Sequence, residues 1–91
     1  MTALDGTWKV RRTAGWLPPM VGVRKRIAGG RGETRLGPLP GFPFDVDGNA
    51  LRYRRPLTGF VDLVEPAGEI FLGRATFRGH EFGRFELQRS E

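Results

Sequence analysis

The stretch "GWLPPMVGVRKRIAGG", Gly15 to Gly30, sets a tryptophan, two prolines and four aliphatic side chains directly before three consecutive bases. Its reading decides the architecture. Pro18 and Pro19 suit a helix start, Met20, Val23 and Ile27 fall on one helical face, and Gly29 and Gly30 suit the end. The spacing predicts one short helix of about two turns. Arg24, Lys25 and Arg26 would stand near its C-terminus, where the helix dipole favours cations. Gly22 opposes it by about 1 kcal/mol relative to alanine.

Working outward, the flanking segments read as strands. Trp8 and Val10 alternate with Lys9 and Arg11, a half-buried first strand. Glu33 to Leu39, beside Pro38 and Pro40, reads as a poorer edge or bent strand. Phe42, Phe44 and Val46 alternate up to a hairpin turn at Asp47–Asn49, and Leu51 and Tyr53 continue on the returning strand. Phe60–Val64 is a further apolar run, ended by the turn signal "EPAGE" at Glu65–Glu69. Two longer strands meet at Arg78–Glu81. Phe71, Gly73, Ala75 and Phe77 share one face of the first, and Gly83, Phe85 and Leu87 share one face of the second. Gly73 and Gly83 permit bending or close approach there. The fold expected is mainly β: an antiparallel up-and-down meander of about seven strands closing into a small barrel, with one short helix after the first strand.

Ninety-one residues form one domain, 1–91, with one modest core. The chain has no cysteine and one histidine, so no disulfide framework is possible and no metal site is expected. No apolar run approaches a membrane span and the N-terminus lacks a signal-peptide pattern, which reads as cytoplasmic. The net charge of +5 is uneven: residues 1–32 carry +6 and the remainder −1. Such asymmetry suits a solvated face or an anionic partner.

"DGTWKV", Asp5 to Val10, resembles the Gly-x-Trp start of the first strand in calycins, the group of lipocalins and fatty-acid-binding proteins. The order of a first strand, a helical segment and an up-and-down meander is similar to that of fatty-acid-binding proteins. The resemblance implies structural roles for Trp8, closing one barrel end, and for Arg89, from the last strand, stacking on it. It implies a ligand carrier. The chain departs from the pattern in being shorter and in lacking the C-terminal Arg and Tyr that clamp a carboxylate, because no Tyr follows Tyr53.

The first functional reading is therefore a small calycin-like binder of an apolar or amphipathic, lipid-like molecule. Its ligand-binding residues would be Trp16, Met20, Val23, Phe42, Phe44, Tyr53, Phe71, Phe77 and Phe85, with the segment from Trp16 to Ile27 as cap. The same aromatics can instead fill a core, and the helix can be a structural plug. The second reading is an anionic partner, a membrane surface before nucleic acid, held by Arg24, Lys25 and Arg26 standing in solvent. In "LRYRRP" Tyr53 shares the inward face of Leu51 while Arg52 and Arg54 face out, which is not a nucleic-acid stacking platform. The third is haem binding through His80. No nucleophile, paired acid or metal-ligand spacing accompanies that histidine, so no catalytic residue and no cofactor are assigned, and the chain reads as a non-enzyme. A homodimer would complete the barrel if one chain were too short to close it.

Overall fold

The computed structural model describes residues 4–16 and 20–90. Eight strands follow in order: β1 (Gly6–Gly15), β2 (Val23–Ala28), β3 (Arg31–Leu36), β4 (Phe42–Asp47), β5 (Ala50–Tyr53), β6 (Phe60–Ala67), β7 (Ile70–Phe77) and β8 (His80–Arg89). Each pairs antiparallel with the next, and β8 returns to β1, so a single chain closes the barrel. Closure leaves no sheet edge between the first and last strands.

The expected helix is a strand, and the strands number eight rather than about seven. No helix occurs among the described residues, and Pro18 and Pro19, the expected helix start, lie outside them. The reason is visible in β2. Residues four apart share a face in a helix, but they share one in a strand too, because strand side chains repeat every second residue. Val23 and Ile27 therefore fit both. Burial alternates strictly along β2, with Val23, Lys25 and Ile27 inside and Arg24, Arg26 and Ala28 outside. Lys25 at the middle inward position hides this pattern from a hydrophobicity reading. Gly29 and Gly30, taken as a helix end, form the two-residue turn of the β2–β3 hairpin, with φ of 62° and 82° between the paired residues Ala28 and Arg31. Two consecutive positive φ values suit that turn to the twist of the strands, and glycine adopts them without strain. The segment Glu33–Leu39, read as an edge or a bent strand, overlaps β3, which is hydrogen-bonded on both sides and is no edge.

The two ends of the barrel differ. At one end β2–β3, β4–β5 and β6–β7 are joined by two-residue turns, and the termini converge. At the other end lie Trp16 and residues 20–22, which flank β1 and β2, and the longer connections 37–41 and 54–59. The tight end is filled by side chains: Leu4, Trp8, Ile27, Phe44, Leu51, Val64, Phe71 and Leu87 are all buried. The Trp8 indole N–H donates to the Leu4 carbonyl at 2.8 Å, and its ring meets Phe71 edge-on at 5.3 Å. Arg89, paired with Trp8 across β1 and β8, sets its guanidinium 4.3 Å from the indole centroid. A desolvated aromatic under a cation closes this end.

Candidate ligand-binding cavity

The loop end is not filled. A cavity of about 240 Å³ opens there, between the dry core and the longer connections. Its walls are Val10, Val23, Ala75 and Phe85, and its rim is Met20, Leu36, Phe42, Leu57, Phe60 and Phe82. The volume lies below the roughly 300–1,000 Å³ of pockets that hold drug-sized molecules. A long acyl chain does not fit inside it; a small ring or a short chain does.

Its floor is polar. Lys25 from β2, Thr34 from β3, Tyr53 from β5 and Asp62 from β6 meet in the interior. Lys25 Nζ donates to Thr34 Oγ1 at 2.7 Å, to Tyr53 OH at 2.6 Å and to Asp62 Oδ2 at 2.9 Å. Tyr53 OH donates to the same Asp62 oxygen at 3.1 Å and lies 2.6 Å from Thr34 Oγ1. With the Tyr53 O–H directed at Asp62, the Thr34 hydroxyl donates to the Tyr53 oxygen. Each of these side chains reaches the interior by ordinary alternation: Lys25 sits between Val23 and Ile27, and Asp62 between Phe60 and Val64.

An unpaired ammonium in this setting would be far too costly to keep. Burial alone pushes the Lys25 pKa down, but the Asp62 charge and the bonds that the ammonium donates to Tyr53 and Asp62 outweigh it and hold the ammonium above its ordinary value. Burial raises the Tyr53 phenol as well, against the opposing pull of Lys25. Lys25 is therefore a charged, fully bonded structural cation. The rings of Phe44, Tyr53 and Phe85 surround Nζ at centroid distances of 5.4, 5.2 and 5.6 Å.

Of the residues expected to touch a ligand, Met20, Val23, Phe42, Tyr53 and Phe85 are brought together around this cavity. Phe44 lies beneath it in the dry core, and Phe71 packs on Trp8 at the far end. Trp16 stands 90% exposed on the β1–β2 connection, outside the cavity. Phe77 lies where β7 runs out, its ring tilted against Phe60 at a centroid distance of 4.6 Å and partly exposed. Lys25, expected in solvent beside Arg24 and Arg26, is inside; only its two neighbours face out. Strand alternation, absent from a helical reading, is the cause. His80 begins β8 on the surface, against the outer side of Phe60, Phe77 and Phe82, and does not line the cavity.

Thr34, Asp62, Leu57, Phe60 and Phe82 are cavity residues that the sequence reading passed over. Asp62 had a signal: it interrupts an apolar run at an inward position, as Lys25 does in β2. Phe82 had none. Strict alternation with Phe85 and Leu87 puts it outside, but a bulge opposite Ala75 and Thr76 inserts it on the inner side. No protein-family model, no curated protein and no solved structure matches this chain.

Proposed function

We propose that this barrel binds one small apolar or amphipathic molecule in the cavity at its loop end, as a calycin-like carrier rather than an enzyme. The single observation that carries the reading is the unfilled apolar chamber above a fully bonded polar floor. A barrel of this size is ordinarily packed by its own side chains, as the Trp8 half is. The Gly-x-Trp start and the eight-stranded closed meander are compatible with the calycin resemblance. Lys25 supports binding over catalysis, because an ammonium held by Asp62 is no nucleophile.

Titration of the isotope-labelled protein with toluene and benzyl alcohol, followed by backbone amide shifts, tests this. Saturable shifts are expected at Met20, Phe42, Phe60 and Phe82, with none at Ile27 or Val64. Ala75→Leu, which fills the chamber, should remove them. Uniform, unsaturable shifts with both probes would remove the reading.

A second reading rests on the outer face. Lys9 pairs with Arg24 and Arg24 with Arg35, which sets three cations in a row across β1, β2 and β3, with Arg26 beside them. Such a row fits an anionic bilayer surface. Cosedimentation with phosphatidylserine vesicles that disappears in Arg24→Glu with Arg26→Glu would support it, and no cosedimentation at low salt would end it.

A further inference from the structure

The floor of the cavity has no hydrogen-bond donor left. An ammonium has three N–H protons and each hydroxyl one. The five bonds among Lys25, Thr34, Tyr53 and Asp62 use all of them. Acceptor capacity is not used up. A carboxylate offers about four lone-pair sites, and both bonds to Asp62 fall on Oδ2. Both charged partners line the chamber, and the Asp62 side chain keeps 10% of its surface exposed against 4% for Lys25, so the carboxylate is the more accessible of the two.

From this inventory we infer that the cavity selects an uncharged ligand carrying one hydrogen-bond donor, an alcohol, a phenol or an N–H heterocycle, which donates to Asp62 while its apolar body fills the chamber. The inference rests on the binding reading above and deepens it. A carboxylate ligand would face the Asp62 charge and find no free proton, and it would add one unbalanced charge to a neutral buried pair. A cationic amine would meet the Asp62 carboxylate but also Lys25, and it too leaves the interior with net charge. A hydrocarbon fits the walls but leaves the exposed part of the carboxylate facing apolar atoms, stripped of water. The neutral donor alone satisfies the floor without disturbing the Lys25–Asp62 pair.

Toluene, benzyl alcohol and benzoate differ little in shape, and their affinities for the intact protein, by calorimetry and by the same amide shifts, decide the point. Benzyl alcohol is expected to bind about tenfold or more tightly than toluene, the scale of a hydrogen bond to a charged group. Benzoate is expected to bind more weakly than either. In Asp62→Asn the Lys25 charge loses its counter-ion, and the order should invert, with benzoate the best of the three. A wild-type protein that prefers toluene or benzoate overturns the inference and leaves the binding reading standing. A folded Asp62→Asn protein that keeps the alcohol preference also overturns it. Failure of all three probes to bind removes the binding reading itself. If Asp62→Asn does not fold, the wild-type ranking is sufficient to decide.

Discussion

Lys25 Nζ and Asp62 Oδ2 meet at 2.9 Å inside the barrel, carried there by strands that are not neighbours in the sheet. The pair spans the interior and ties β2 to β6. Removing one partner leaves the other charge buried alone, which costs about 3–5 kcal/mol. Lys25→Met and Asp62→Leu should each destabilise by that order. The double variant should be less destabilised than either single one, because Thr34 and Tyr53 still bond each other. Urea unfolding of the three variants measures this. Additive losses would show that the two charges are not coupled.

Alkaline conditions should weaken the same cluster. Lys25 and Tyr53 both hold their protons more tightly folded than unfolded, against ordinary values of 10.5 and 10.0. The native state then binds more protons than the unfolded state once pH passes about 10, so stability falls as pH rises. Below that the contribution is fully present. Lys9, on the outer face, is the only other lysine, and Tyr53 is the only tyrosine, so the alkaline limb reports few groups. The slope approaches about 1.4 kcal/mol per pH unit for each contributing group. Tyr53→Phe should make it shallower. Urea midpoints at several pH values across that range check both statements; a flat profile contradicts them.

Much of the barrel is legible in the sequence. Trp8 and Val10 alternate against Lys9 and Arg11, and the turns at Gly48–Asn49 and Gly68–Glu69 stand where glycine marks them. Glu65, Pro66 and Ala67, read as the start of the second turn, instead continue β6 and pair with β7. The closing pair, Trp8 with Arg89, follows from antiparallel return of the last strand. What failed did so where burial and polarity part company. Lys25 and Asp62 are charges at inward positions, and a hydrophobicity pattern scores each as a break. Taken together they are the signal: two opposite charges on inward faces of different strands imply a buried pair. Phe82 was illegible for another reason, since a bulge changes the side of one residue without any residue type announcing it. Trp16, aromatic yet exposed, lies on a connection whose course alternation does not govern.

Gly73 shapes the cavity through Phe85. A Cβ at Gly73 would overlap the Phe85 ring, which stands opposite it across β7 and β8 and forms part of the chamber wall. Alanine there forces the ring inward. Gly73→Ala should destabilise by about 1–3 kcal/mol, the usual scale of overpacking. It should also weaken toluene binding. Adding Phe85→Leu should recover stability, since the smaller side chain clears the contact. An unchanged melting temperature for Gly73→Ala would mean that the ring moves freely.

Charge reversal along β2 should give opposite results at adjacent positions. Arg24 lies outside, directly across from Lys9 on one neighbour and from Arg35 on the other, and like charges so placed repel. Arg24→Glu turns both repulsions into attractions and should stabilise the protein by about 0.5 kcal/mol at low salt, within the range for such cross-strand pairs. The bond from Arg24 to Ser90 Oγ is lost, but the glutamate can accept from the same hydroxyl. The gain should vanish in about 1 M salt, where screening acts over roughly 3 Å. One residue further on, Lys25→Glu places a second carboxylate against Asp62 in the interior and should prevent folding at neutral pH. A helix would carry both positions toward solvent together and tolerate both changes. Thermal unfolding of the two variants at low and high salt separates the arrangements: stabilisation at position 24 with collapse at 25 fits the strand, while equal tolerance of the two substitutions contradicts it.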